Sequence, residues 1–356
     1  MQNPAANLVQ NWPNSIKIAL VLIGGCVAAY WSAAMSIAQI VQSANPELAL
    51  RMVPQHSSAL AAQADGLLLK GAKGLDGQAV ARLATASIRA QSLNARALRL
   101  AAFSADSQGD AQKASTLMAL SNRASRRDWG TQLWLIEEAV RQDNVPLALS
   151  HYDIALRTRV ESHTTLFPVL TQALNQPEVA NGIIPYLNRK PEWLYPFLNY
   201  AISKGTEPQN VADMLQRTKN LPNSQKFRAL QGALIGKMLG ASSPGAIESY
   251  ASSLKGFDPS ILKTAAISKK TVGDDLSPAT WSGITAANVT GEFLENATGD
   301  LELRAYAAAG TRGEVARKLL LLPPGKYLGN VNIASSSIPN KGSIELRLIC
   351  LESGTI

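Results

Sequence analysis

Histidine, cysteine and aromatic residues are scarce in this chain. Three histidines, His56, His151 and His163, leave little for acid–base or metal chemistry. Two cysteines, Cys26 and Cys350, exclude a disulfide framework and a cysteine-based zinc module. Aromatics make up 6% and charged residues 17%, whereas 46% are hydrophobic, which is too apolar for a disordered chain. The length of 356 residues implies one large domain or two ordinary ones. An Ala/Leu-rich, aromatic-poor composition points to helices packed closely through small side chains. It speaks against most catalytic classes before any motif is read.

The motifs of catalysis are missing too. Residues 66–74 are glycine-rich but lack the Gly-Lys-Ser/Thr ending of a phosphate loop, and read as a turn between helices. His151 and Asp153 are two apart, so on a helix they point to different faces, and His151 reads as a solvated residue. His163 with Glu161 reads as local capping or surface, and Asp274-Asp275 as an acidic loop pair. No nucleophile elbow, dinucleotide loop or zinc spacing occurs. Asn288-Val-Thr290 and Asn296-Ala-Thr298 are glycosylation sequons, which matter only in a eukaryotic secretory route. No catalytic residue, metal ligand or cofactor is expected.

Long hydrophobic runs, by contrast, are present. No charge occurs between Lys17 and Glu47, and residues 18–41 are mostly apolar. That length can cross a hydrocarbon core of roughly 30 Å as a helix. A single-pass signal anchor is the favoured reading, with 1–17 as a short tail. A cleaved signal peptide and a lipoprotein signal at Cys26 are the alternatives. Tyr30 and Trp31 fall near the middle of the run, so they are not read as an interfacial belt. Everything globular follows the span, so a tail that stays inside while the rest is exported is the economical topology. In a bacterial cell this places the bulk in the periplasm on an inner-membrane anchor.

The net charge of +8 is unevenly spread. Residues 77–240 carry +7 of it, and 241–356 are neutral. The basic residues are dispersed singly among acids, as on solvated helix faces, and no RNA-recognition, zinc-finger or basic-zipper signature accompanies them. Nucleic acid is not an expected partner.

Two segments in this basic region align at a spacing of 34, residues 95–128 and 129–162. Each contains an apolar-periodic helix, a polar turn and a second periodic helix. The turns are Ser107-Gln108-Gly109-Asp110 and Gln142-Asp143-Asn144, and Ala114 and Ala148 lie early in the second helices. Leu135, Ala148, Tyr152 and Ala155 form a large–small–aromatic–small series, echoed by Leu98, Gly109 and Ala114. This resembles the tetratricopeptide repeat family. Ala105 and Ala139 stand where that family has aromatics, and Arg126 and Val160 replace its closing proline. Residues 56–70 and 78–91 fit as an upstream helix pair. Downstream, 168–174, 177–187, 191–204 and 208–215 read as short helices with a proline near each start. The resemblance implies a right-handed α-solenoid over 45–255, whose concave groove is lined by first helices. By register the groove residues are Arg96, Arg99, Phe103 and Asp106, then Leu133, Glu137, Val140 and Arg141.

After Gly240 the texture changes: Gly, Ser, Thr, Asn and Pro rise, and a last helix around 245–254 closes the helical block. Short runs bounded by turn residues at 281–286, 301–308, 314–322, 326–333 and 343–351 predict strands, with apolar–polar alternation in 301–306 and 344–348. Residues 256–356 therefore predict a small antiparallel β-sandwich, resembling a jelly roll of the carbohydrate-binding kind, either minimal or shorter than its relatives. Trp281 and Tyr327 are the candidate glycan contacts. The whole arrangement is similar to membrane-anchored tetratricopeptide-repeat proteins of proteobacteria, with Gln132–Val140 and Ala148–Thr158 carrying that likeness. The expectation is a mainly α protein that acts as a non-enzymatic envelope scaffold for a protein partner. A glycan-binding accessory role with an acidic polysaccharide and an uncharacterised enzyme are the alternatives.

Overall fold

The structure is a computed structural model that describes residues 13–70, 77–205, 207–334 and 343–350. It is mainly helical, with a small antiparallel sheet region near the carboxy terminus. The chain divides into two compact units, Met1–Arg159 and Val160–Ile356, so the boundary falls inside the expected 45–255 block.

The first unit begins with α1 (Asn14–Val41), the one described helix long and apolar enough to cross a membrane. It starts four residues earlier than the apolar run suggests. Most of its large apolar side chains are exposed, from Ile16 to Ile40. Its last two turns are different. Ala34 and Ala38 are buried against α2 (Pro46–Met52) and α3 (Ser57–Lys70), in a small-residue core with Ala49, Val53 and Ala59.

Three antiparallel helix pairs follow. α3 pairs with α4 (Gly77–Ala90), α5 (Ala95–Ser107) with α6 (Ala111–Ala124), and α7 (Trp129–Arg141) with α8 (Val145–Thr158). The second helices start at 77, 111 and 145, a spacing of 34 maintained twice. The same spacing governs the core. Val80, Ala114 and Ala148 are buried at one register, and Ala84, Met118 and Tyr152 at the next turn. Each second helix has one alanine among these positions, Ala84, Ala114 or Ala148, where it can approach the first.

Polar side chains write the spacing as well. Asn94, Asp110, Asp128 and Asn144 each cap a helix, with the side chain accepting from the backbone N–H three residues on. Ser87 Oγ donates to Ser57 O at 2.7 Å, and Ser121 Oγ to Ala95 O at 2.8 Å. A buried serine on α4 and on α6 thus closes onto the first carbonyl of its own hairpin, and α8 has Ala155 at that register. Gly109 and Asp143 occupy the two equivalent turns with φ of 81° and 53°. The expected turn at 66–74 starts later, since α3 runs through Lys70, and 71–74 lie outside the described residues.

The second unit has a core of rings. Phe167 on α9 (His163–Ala173) packs at 5.6 Å from Phe197 on α12 (Leu194–Lys204), and Trp193 meets Phe197 edge-on at 5.9 Å. Between them lie α10 (Pro177–Gly182) and α11 (Ile184–Leu187). α13 (Pro208–Arg217), α14 (Gln225–Met238) and α15 (Pro244–Ser252) follow. Prolines occupy the first turn of α10, α11, α13 and α15, as expected where the backbone N–H has no helical acceptor. Pro168 does not start a helix, because α9 begins at His163 and carries it inside.

The strands differ from expectation. β1 (Ser282–Gly283) pairs with β5 (Ala316–Arg317), and β2 (Thr285–Ala286), β3 (Val289–Glu295) and β4 (Leu301–Ala307) form a three-stranded antiparallel sheet. The central strand, β3, is the one the sequence reading omitted. The two sequons overlap or adjoin its ends, and Asn296 is a turn residue. Asn296 Oδ1 accepts from the N–H groups of Thr298 and Asp300 and from Thr298 Oγ1. That closes the β3–β4 hairpin over Gly299. The alternating runs at 326–333 and 343–350 form no strand, and Ile344, Leu346 and Leu348 are exposed. Alternation makes a face but supplies no pairing partner.

Gly109→Ala should destabilise the first unit by about 1 kcal/mol, because a Cβ disfavours positive φ. Asp143→Gly relieves the same conflict and should not destabilise it. Urea denaturation of the two variants checks the opposite signs.

Candidate partner-binding face

The residues nominated for a groove lie on α5 and α7, and the spacing of 34 extends their register back to α3. Asp65, Arg99 and Leu133 are equivalent, as are Leu69, Phe103 and Glu137. Asp65 and Leu69 were missed because the upstream pair was not counted in register. Subtracting 34 from 99 and 103 finds both.

Arg99 is not an open groove residue. It is 7% exposed and ties three helices together. Its terminal nitrogens donate to Asp65 on α3, Nη1 to Oδ1 at 3.2 Å and Nη2 to Oδ2 at 3.1 Å. Its Nε donates to Asp128 Oδ1, the α7 cap, at 2.8 Å. The guanidinium also lies 5.6 Å from the centre of the Phe103 ring. Arginine suits this place because its planar fork serves two carboxylates at once. The side chain reaches Asp128 by passing over Gly130, where a Cβ would fall 2.6 Å from Arg99 Cδ.

Asp128 has further partners. Its Oδ1 accepts from Thr131 N at 2.9 Å and from Thr131 Oγ1 at 2.7 Å. Thr131 Oγ1 in turn contacts Ser121 Oγ at 2.7 Å. The clasp is thus continuous with the serine that closes the α5–α6 hairpin. Arg96 sits at its edge, 3.6 Å from Asp65 and part-exposed. Two arginines and two aspartates balance, so this part of the face is locally neutral.

The other nominated residues are more open. Asp106, Glu137 and Arg141 are exposed, Val140 is 62% exposed, and Phe103 and Leu133 are half-buried. Arg141 is ion-paired to Glu138 on its own helix. Leu69, at the Phe103 register, is 83% exposed. The face therefore offers an apolar line with acidic groups beside it.

His151 was expected in solvent and is buried instead. Its Nδ1 lies 2.9 Å from Gln132 Oε1, while Gln132 Nε2 donates to Asn122 Oδ1 at 2.8 Å. This chain links α6, α7 and α8. Burial, and then the nearby Arg126 charge, hold the His151 pKa below the ordinary histidine range. Asp153 turns away to pair with Arg157 at 2.8 Å. His163 stacks on Phe167 at 4.5 Å, and Asp275 pairs with Arg228. Among the described residues, no three or more His, Cys, Asp or Glu side chains group as a metal site.

In the second unit, Trp281 is half-buried. Its Nε1 donates to Ala265 O at 3.1 Å, and its ring lies 6.2 Å from Phe293, tilted by 46°. Tyr327 is 56% exposed, and its hydroxyl donates to Pro323 O. Lys318 donates to Thr264 O at 2.6 Å, and burial lowers its pKa to about 8. These contacts tie strand ends to the 264–273 loop.

The chain matches no family model and no curated protein.

Arg99→Met should cost about 3–5 kcal/mol, because it strands two carboxylates, whereas Arg96→Met should cost less than about 1 kcal/mol. Thermal melts of the two variants make the comparison. A second expectation concerns acid. The unfolded chain protonates position 151 near pH 6.5, before the folded chain does. Stability should therefore hold above that pH, decline as pH falls below it, and level off once the folded histidine is also charged. His151→Gln should remove this part of the decline in urea titrations across pH 4–8.

Proposed function

We propose that the protein is a membrane-anchored, non-enzymatic scaffold that binds a protein partner along the α3–α5–α7 face. The observation that carries this reading is the spacing of 34 in helix starts, caps, turn residues and core positions. A helical pair of that period resembles the tetratricopeptide repeat, whose stacked units form a solenoid and present a concave face to an extended segment or helix. α1 supplies the anchor, since its large apolar side chains have no protein to cover them and a bilayer would. An anchor of this kind raises the local concentration of the binder at the membrane. In a bacterium the economical placement is the inner membrane, with the bulk of the chain in the periplasm.

The binding residues are those left open once the clasp is set aside: Leu69, Phe103 and Leu133 as the apolar line, with Asp106 and Glu137 beside it. A partner segment with apolar anchors and basic flanks fits this chemistry. Glycan binding would rest on Tyr327, whose ring is open, whereas Trp281 is occupied by Phe293 and the 265 carbonyl.

The test is crosslinking and pull-down of the membrane-embedded chain with Asp106→Arg plus Glu137→Arg. Both positions are exposed, so the fold should change by less than about 0.5 kcal/mol. Loss of a specific crosslinked partner, with an unchanged circular dichroism spectrum, is the expected result. An unchanged partner set would refute the assignment of this face.

A further inference from the structure

The packing of α1 has a consequence for where a bilayer must end. Its first twenty residues, 14–33, rise about 30 Å at 1.5 Å per residue, the thickness of a hydrocarbon core. Throughout this stretch the large side chains are exposed, among them Leu20, Leu22, Ile23, Val27, Tyr30 and Trp31. The next residue is Ala34, the first α1 side chain buried by protein, and Ala38 follows one turn on. Both are held by Ala49, Val53 and Ala59 of α2, α3 and the turn between them. Lipid tails cannot occupy that side of the helix.

We infer that the lipid-immersed part of the anchor is residues 14–33, not the apolar run 18–41, and that α1 enters the first helix pair without a flexible linker. This rests on the membrane-anchor reading above. The bilayer edge then falls at Tyr30 and Trp31. Both rings are exposed, at 66% and 51%, and both lie within the last turn of the immersed stretch. That is the depth at which amphipathic aromatic rings settle. Lys17 falls in the first turn, where its long stem can carry the charge back to the opposite interface. Ile37 and Ile40, still exposed beyond Ala34, then lie at headgroup level. The apolar run 18–41 by itself centres on Tyr30 and Trp31, because such a run carries no sign of which part is covered by protein.

The partner in this inference is the bilayer itself, and depth is the quantity to measure. In a Cys26→Ala, Cys350→Ala background, single cysteines replace Leu20, Ile23, Val27, Tyr30, Ile37 and Ile40, all exposed positions. Each full-length variant is spin-labelled in vesicles of phosphatidylcholine and phosphatidylglycerol. Collision with oxygen against a water-soluble nickel chelate then reads the depth of each label. The expected profile is deepest at Ile23, shallow at Tyr30, and open to the chelate at Ile37 and Ile40. A maximum at Tyr30, about 10 Å further along the helix, with Ile23 and Ile37 equally shallow, would overturn the boundary while leaving the anchor intact. Chelate access at all six positions would overturn the anchor reading and the boundary together.

Discussion

The first unit depends on one buried charge cluster. Arg99 lies between Asp65 and Asp128, and each of the three residues belongs to a different helix of the first-helix series. Removing a buried charge from water is costly, and only close pairing with good geometry offsets it. The cluster therefore tolerates few arrangements of α3, α5 and α7. It specifies their register more than it adds net stability. Greasy contacts between alanines could slide by a turn, whereas a guanidinium held by two carboxylates cannot.

This explains why the helical framework was legible in the sequence and the binding face was not. Helix starts follow from local chemistry. Asn94, Asp110, Asp128 and Asn144 cap within three residues, and Gly109 and Asp143 turn within one. Such signals survive in a one-dimensional reading. The partner of Arg99 is 34 residues away in one direction and 29 in the other, so its burial could not be seen in its own helix. His151 failed for the same reason. Its neighbours in sequence look solvated, but Gln132 and Asn122 approach it from two other helices.

The strands were misread through a different physics. The residues of β3 sit between Asn288 and Asn296, and Gly291 interrupts the apolar alternation that would mark a strand there. At 343–350 the alternation is stronger, yet no strand forms there. A strand is a relation between two segments, and a pattern in one segment cannot establish it. The ring-rich core of the second unit was equally hidden. Trp193 and Phe197 are one helical turn apart, but Phe167 lies 30 residues before Phe197, too far for a local count to join it to them.

Gly130 carries a consequence for what can change around it. It has no side chain because the aliphatic stem of Arg99 occupies that volume on its way to Asp128. Positions 65, 99, 128 and 130 are thus coupled. A side chain at 130 would displace the Arg99 stem and with it the aim of the guanidinium at Asp128. Loss of the arginine would leave Asp65 with Arg96 and Asp128 with Thr131, and would free position 130 for a side chain. A change at one of these positions therefore alters what the others can hold.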